Sequence, residues 1–332
     1  MKSILMGGNT VPFVYPQERL ARLQQEAGLM PEVLTREQVL ENPVLTAETE
    51  YIFSTWGMPK FTEEEIRLCF PNLKAVFYAA GSVQAFAREF MNCGVKIFSA
   101  WAANAVPVAE YTVAQILLAN KGFFQACRRE KDPESRREAA IYHRTFPGNY
   151  NCKVGLIGAG MIGKLVLQML KPYDLDVYVS STSMTEERAA AYGAKKATTE
   201  EIFAQCQTIS NHVADLPATK GMFGKALFDL MKPNATFINT GRGAQVVEED
   251  LIAVLARNPD MTAVLDVTYP EPPEEGSPLY TLPNVFLTPH IAGSSGDERQ
   301  RMSAYMEEEF YRWRAGEPCK WEVTEKMLET MA

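Results

Sequence analysis

Histidine is scarce in this 332-residue chain, with three in all: His143, His212 and His290. Chemistry that needs an imidazole therefore has few places to reside. The six cysteines, Cys69, Cys93, Cys127, Cys152, Cys206 and Cys319, show neither CxxC nor metal-ligand spacing. That argues against a disulfide framework, and no metal is expected. Positive charge is in deficit, 33 Lys and Arg against 41 Asp and Glu for a net charge of -8. A nucleic-acid partner is excluded on that ground, because phosphate backbones are held by clustered cations, and an anionic small substrate has to be attracted locally. No apolar run approaches the roughly 20 residues of a membrane span, and the apolar start Ser3 to Met6 is too short for a signal-peptide core. The expectation is a cytoplasmic protein without a membrane partner. Internal repeats and low-complexity segments are also lacking.

What is present is apolar content, 46% of residues, enough for a large core and two domains at this length. Short apolar runs alternate with helical patterns in the first hundred residues. Ser3 to Met6, Glu50 to Ser54, Leu73 to Tyr78 and Lys96 to Ser99 read as strands. Gln17 to Ala27, Thr62 to Cys69 and Val83 to Met91 read as helices. Such alternation implies a parallel sheet, whose ligands bind beyond the carboxyl ends of strands. The turns at Thr55-Trp56-Gly57 and Ala79-Ala80-Gly81-Ser82 are therefore candidates, although Trp56 also reads as a core aromatic and Gly81 as a plain turn residue. Pro107 suits the first turn of a long buried helix carrying Val108, Tyr111, Val113, Ile116 and Leu117. The charged run Arg128 to Arg144 reads as a loop, or as an arm over a partner protomer.

The stretch Lys153 to Lys164, KVGLIGAGMIGK, reads as a buried strand entering a helix through Gly158, Gly160 and Gly163 in the order G-x-G-x-x-G. One glycine turns tightly, one admits a pyrophosphate, and one lets helix and strand pack. Met161 and Ile162 open that helix, where free N–H groups favour an anion. Strands at Lys153 to Ile157, Asp176 to Ser180, Gln207 to Asn211, Thr236 to Thr240, Ala263 to Val267 and Val285 to Thr288 predict a six-stranded doubly wound sheet. The second strand ends in Ser180-Ser181-Thr182-Ser183, without the Asp or Glu that usually accepts an NAD ribose, and the nearest cation is Arg188. NAD is the expected cofactor, with NADP left open. His212, after the third strand, reads equally as a cofactor-cleft residue or a structural one.

The last three strands end in Asn239-Thr240-Gly241-Arg242-Gly243, Asp266-Val267-Thr268-Tyr269-Pro270-Glu271-Pro272 and Thr288-Pro289-His290-Ile291-Ala292-Gly293. These segments resemble, in chain order, the N-x-x-R-G, L-D-V-x-x-x-E-P and P-H-x-x-G signatures of the D-2-hydroxyacid dehydrogenase family. Val108-Ala109-Glu110 is similar to its V-A-E helix start. The resemblance covers most of residues 70 to 312 and implies hydride exchange between a nicotinamide and C2 of a 2-oxo or 2-hydroxy acid. His290 would be the acid/base, a task that suits the ordinary pKa of histidine. Glu271 would hold the imidazole and favour its charged form, and Arg242 would grip the carboxylate with its planar fork. Thr240, Asp266 and Gly293 would join Gly158, Gly160, Met161, Ile162, Gly163, Ser180, Ser181 and His212 at the cofactor, with Asp266 on the nicotinamide amide. Trp56, Ala80, Gly81 and Ser82 would meet the substrate.

The family also implies a Rossmann cofactor domain (103–296) inserted in a discontinuous flavodoxin-like substrate domain (1–102 and 297–332), both doubly wound parallel sheets, and a homodimer. After Asp297 a helix with Met302, Tyr305, Met306, Phe310 and Trp313 on one face returns the chain to the first domain. Two departures stand out. AAGSVQ at 79–84 lacks the family's Gly-x-Gly-x-Asp, and Ser180 replaces the ribose-binding Asp. Two other readings compete with the 2-oxoacid reductase. One is oxidation of another small acid such as phosphite, formate being disfavoured because that branch carries Gln where Glu271 stands. The other is a non-enzymatic dinucleotide-sensing protein.

Overall fold

A computed structural model describes residues 2–328. The chain forms two compact units, residues 1–104 with 294–332 and residues 105–293, where the sequence suggested breaks at 102/103 and 296/297. Each is built on an all-parallel sheet.

The first unit holds β1 (Ser3–Met6), β2 (Leu29–Leu34), β3 (Tyr51–Ser54), β4 (Ala75–Tyr78) and β5 (Lys96–Ser99) in the order β2-β1-β3-β4-β5, the flavodoxin-like arrangement. Strand β2 escapes a pattern reading because it is an edge strand, LMPEVL, with Pro31 and three exposed central residues; edge strands tolerate proline and charge. The segment after residue 294 is part of this core. Phe310, on helix Gln300–Ala315, sets its ring edge-on against Phe53 and Phe77 at centroid distances of 5.4 and 5.7 Å. The buried Glu307 carboxylate of that helix accepts from Arg19 Nε and Arg22 Nε at 2.7 and 2.8 Å, which ties it to helix Gln17–Ala27.

The second unit holds β6 (Lys153–Ile157), β7 (Asp176–Ser180), β8 (Ala194–Lys196), β9 (Thr208–Asn211), β10 (Thr236–Asn239), β11 (Thr262–Leu265) and β12 (Val285–Leu287) in the order β12-β11-β10-β9-β6-β7-β8. Counted from β6, this is the 3-2-1-4-5-6 Rossmann order with one strand added beyond the sixth. The sheet thus has seven strands rather than six. The one missed is β8, a three-residue edge strand, AKK, with two exposed lysines, too short and too polar to carry a periodicity.

Two further expectations are corrected. The long helix begins at Trp101 and runs to Asn120, so Pro107 lies inside it, not in its first turn. The run 128–144 is not a loop. Asp132 caps helix Pro133–His143 by accepting from the N–H groups of Glu134 and Ser135, and the segment packs on its own unit: Arg128 donates to the Pro259 carbonyl, Arg129 pairs with Asp260, and Tyr142 Oη lies 3.0 Å from Asn234 Oδ1. Mixed charge is compatible with a helix whose outer face is solvated.

Candidate active site

At the centre of the second sheet, β6 lies between β7 and β9 with Ile157 level with both Ser180 and Asn211. The glycine turn comes directly after it. Gly158 has φ of +96°, and a Cβ there would fall 2.4 Å from the His212 carbonyl oxygen. At Gly163 a Cβ would fall 2.3 Å from the Gly158 oxygen, so helix Met161–Leu170 touches the turn at backbone distance. Gly160 differs. Nothing lies within 4 Å of its Cβ position, so no protein atom demands a glycine, and the open space leaves room for a pyrophosphate at the helix start. The residues fit a dinucleotide. Met161 is exposed, whereas Ile162 packs against the core.

At the carboxyl end of β7, Ser180 Oγ lies 3.0 Å from Thr199 Oγ1 and Ser181 Oγ 3.1 Å from Ser183 Oγ. Arg188 Nη1 donates to the Ser183 carbonyl at 3.1 Å, which fastens its guanidinium to the same loop. His212 is buried beside the glycine turn. Its Nε2 lies 2.9 Å from Ser210 Oγ, its Nδ1 has no partner, and burial pushes its pKa down to about 4.

Strands β10, β11 and β12 are neighbours, with Asn239, Leu265 and Leu287 side by side, so the segments bearing Arg242, Glu271 and His290 leave the sheet at one level. Buried amides shape the first of them. Asn211 Nδ2 donates to Asn239 Oδ1 and Gln245 Oε1 (2.9 and 2.5 Å), Gln245 Nε2 donates to the carbonyls of Val213 and Ala214 (both 2.9 Å), and Asn239 Nδ2 to that of Arg242 (3.1 Å). These three amide side chains are fully buried, and a satisfied buried polar network fixes one geometry. A Cβ on Gly243 would come within 2.0 Å of the Thr268 carbonyl, so the Arg242 turn is pressed onto the segment that leads to Glu271. Arg242 Nη1 donates to the Gly241 carbonyl at 2.8 Å. Among the described residues its guanidinium has no carboxylate partner, which leaves its charge for a ligand.

The buried Asp266 carboxylate organises the His290 turn. It accepts from Thr288 Oγ1 (2.7 Å) and from the N–H groups of Ile291 (2.8 Å) and Ala292 (2.9 Å). The His290 N–H donates to the Asp266 carbonyl, and His290 takes φ of +55°. Chain wrapped around a carboxylate in this way leaves the imidazole outward and half-exposed. Its Nδ1 lies 2.7 Å from Glu271 Oε1. With Nδ1–H donating to that carboxylate, Nε2 is the nitrogen left to exchange a proton. Thr288 Oγ1 also meets Tyr111 Oη at 3.2 Å, and Thr240 Oγ1 meets Thr112 Oγ1 at 3.1 Å. Gly293 closes the unit. Sequence reasoning missed Gln245, Thr288 and Tyr111 as supports; the available signal was amide and hydroxyl groups among strand-end apolar runs, which have to find partners when buried.

In the first unit, Trp56, Ala80, Gly81 and Ser82 lie beyond the carboxyl ends of β3 and β4. Buried hydroxyls hold the carbonyls of the second loop: Thr55 Oγ1 donates to Ala79 (2.8 Å), and Ser99 Oγ to Ala80 (2.9 Å) and Gly81 (2.5 Å). Among the described residues the N–H groups of Gly81, Ser82 and Val83 donate to nothing, so the loop offers donors to an anion.

A sheet of this order with such a turn is that of the dinucleotide-binding Rossmann proteins. More narrowly, the chain belongs to the D-isomer specific 2-hydroxyacid dehydrogenase family, whose NAD binding domain matches residues 113–292. It is 30% identical to a formate dehydrogenase of Neurospora crassa over 86% of this chain and 82% of that protein. It is 36% identical to the human glyoxylate reductase/hydroxypyruvate reductase over 51% of this chain and 52% of that one. With two other relatives, a 2-hydroxyacid dehydrogenase homologue of Bacillus subtilis and a D-3-phosphoglycerate dehydrogenase of Archaeoglobus fulgidus, the match spans 64% and 42% of their length. Its fold is close to that of the apo D-mandelate dehydrogenase of Rhodotorula graminis, with a TM-score of 0.80, 20% identity and 98% of each chain covered. NAD is the dinucleotide of this family's binding domain, and solved structures of the same fold hold NAD or NADPH. Among the described residues no helix is long and apolar enough to cross a membrane.

Proposed function

We propose that this protein is a NAD(P)-dependent 2-oxoacid reductase, interconverting a 2-oxo acid and its 2-hydroxy acid. The observation that carries the reading is the 2.7 Å contact of His290 Nδ1 with Glu271 Oε1, on a segment neighbouring that of an Arg242 left without a carboxylate. When bound, the nicotinamide supplies the hydride. His290 Nε2 then gives its proton to the C2 oxygen, Glu271 stabilises the imidazolium before transfer, and Arg242 binds the carboxylate bidentately and polarises the adjacent carbonyl. Gly158, Gly160 and Gly163 hold the pyrophosphate in this reading, with Met161 beside it; Ser180, Ser181, His212, Thr240 and Gly293 line the remainder of the cofactor site, and Asp266 holds the catalytic turn as well as the nicotinamide amide. The donors at Gly81 and Ser82 give the first unit its own affinity for a carboxylate. A cytoplasmic homodimer completes the reading, the exposed Leu118, Phe123 and Ile141 of the helical segment supplying apolar surface for a second copy; sedimentation velocity tests it.

The test of the chemistry is NADH consumption with a panel of 2-oxo acids, set beside NADH binding. His290→Asn lowers kcat by roughly 10²- to 10⁴-fold and Arg242→Ala by roughly 10²- to 10³-fold. Both variants still bind NADH. Binding without turnover on every acid would favour a dinucleotide sensor, and loss of NADH binding in a folded Arg242→Ala protein would remove Arg242 from the substrate.

A further inference from the structure

The three neighbouring strands β3, β4 and β5 end level with one another, Ser54 beside Tyr78 and Tyr78 beside Ser99. The three segments beyond these ends share one property: none of residues 55–59, 79–85 and 100–104 carries a charge. Among the described residues the N–H groups of Gly81 and Ser82 in the middle loop have no acceptor, and both residues reach solvent. The loop after β3 carries Trp56, and the chain after β5 carries Trp101. Both indoles are partly buried and pack on the same core as Tyr78, Ala80 and Val83. Trp101 is set further by an edge-to-face contact with Trp321 at 5.6 Å, and Trp321 in turn stacks on Tyr305. The turn thus lies between two chain segments that each bring an indole to the core of the first unit.

We propose that this edge of the first unit selects 2-oxo acids whose side chain is apolar and uncharged, arylpyruvates above all; the proposal rests on the function inferred above. A carboxylate on the free N–H groups leaves the rest of the molecule against indole rather than against a counter-ion. A ring there gains aromatic contact and buried area. A distal carboxylate or phosphate loses water and finds no cation among residues 55–59, 79–85 and 100–104, Lys60 further along the first loop being turned to solvent, a cost without compensation.

The experiment compares kcat/KM for phenylpyruvate, pyruvate and 2-oxoglutarate with NADH, in the wild type and in Trp56→Ala and Trp101→Ala, with Trp101→Phe as a conservative control. Phenylpyruvate is expected to exceed 2-oxoglutarate by at least roughly 10- to 100-fold and to exceed pyruvate. Each alanine variant lowers the phenylpyruvate-to-pyruvate ratio by about tenfold, and Trp101→Phe restores most of it. Quenching of the protein's tryptophan fluorescence by phenyllactate, without cofactor, gives a second readout and weakens in both alanine variants. A preference for 2-oxoglutarate, or a ratio that neither tryptophan variant moves, overturns this inference while leaving the reductase intact. Failure of every 2-oxo acid to be reduced overturns both.

Discussion

Both units present the carboxyl ends of parallel strands, yet they furnish those ends differently. The second sheet ends in side chains, an arginine, a glutamate–histidine pair and an aspartate, each held by buried amides, hydroxyls or backbone N–H groups. At the first sheet the furnishing is backbone donors and two indoles, with no charge in residues 55–59, 79–85 and 100–104. A group that must transfer a proton or polarise a carbonyl needs a positioned polar atom, and its positioning consumes a network. Holding the body of a substrate needs shape and dryness. In the proposed reading, chemistry and selection are divided between the materials of the two edges.

The sharpest way to break the comparison is through two glycines of the second unit that look alike in sequence. Gly243 is required by the protein itself, since a Cβ there meets the Thr268 carbonyl at 2.0 Å. Gly160 is required only if a ligand approaches. Gly243→Ala should therefore cost about 3 kcal/mol of stability and depress activity by displacing the Arg242 turn. Gly160→Ala should leave stability within about 0.5 kcal/mol while weakening NADH binding. Thermal unfolding and fluorescence titration of both variants decide it. Equal stability losses would mean that Gly160 is a packing residue too.

That contrast also marks what the sequence could reveal. Arg242, Glu271 and His290 stood out in the sequence because the roles proposed for them, proton transfer and carboxylate binding, demand particular side chains, and those recur in order at strand ends. The glycine turn was legible for the same kind of reason. Gln245, Thr288 and Tyr111 were not, because a supporting hydrogen bond is satisfied by many residue types and its partner lies far along the chain. Strands β2 and β8 escaped because edge strands need no two-faced apolar pattern, as Pro31 and Lys195 show. The helix at 133–143 was hidden by its charge, although Asp132 before Pro133 was a readable cap.

A smaller effect separates the buried polar groups of the second unit from its exposed ones. His212 is buried neutral, its pKa pushed down from 6.5 to about 4 by loss of solvent. The unfolded chain takes up a proton near pH 6.5 and the folded chain does not until about pH 4. The stability linked to His212 is therefore complete above pH 6.5 and is lost as pH falls toward 4. By pH 5 the loss amounts to about 2 kcal/mol. Denaturant unfolding of the wild type and His212→Gln at pH 7.5 and pH 5 should show the wild type losing about that much more. Parallel losses in the two proteins would mean that the imidazole is solvated or paired.

The least change is expected at the ribose end, where the second unit comes nearest to the uncharged character of the first. No carboxylate ends β7, so the repulsion that usually rejects a 2′-phosphate is missing. Arg188, fastened to the Ser183 carbonyl, lends the loop a positive charge without offering a planar fork at the strand end itself. Discrimination between NADH and NADPH should then be modest, within about 10- to 100-fold, or roughly 1.4 to 2.8 kcal/mol. The two serines are not equivalent. The Ser180 hydroxyl is engaged by Thr199, whereas among the described residues Ser181 pairs with its loop neighbour Ser183 alone. A carboxylate introduced as Ser181→Asp should raise the NADH-to-NADPH ratio of kcat/KM by about tenfold, and Ser180→Asp by less, because its side chain starts out directed at Thr199. Arg188→Ala should lower NADPH affinity and leave NADH alone, since only the 2′-phosphate carries the charge that the guanidinium meets. If the wild type rejects NADPH more than about a thousandfold, a difference of roughly 4 kcal/mol, a group outside this loop reads the ribose, and the uncharged end of β7 has no part in cofactor choice.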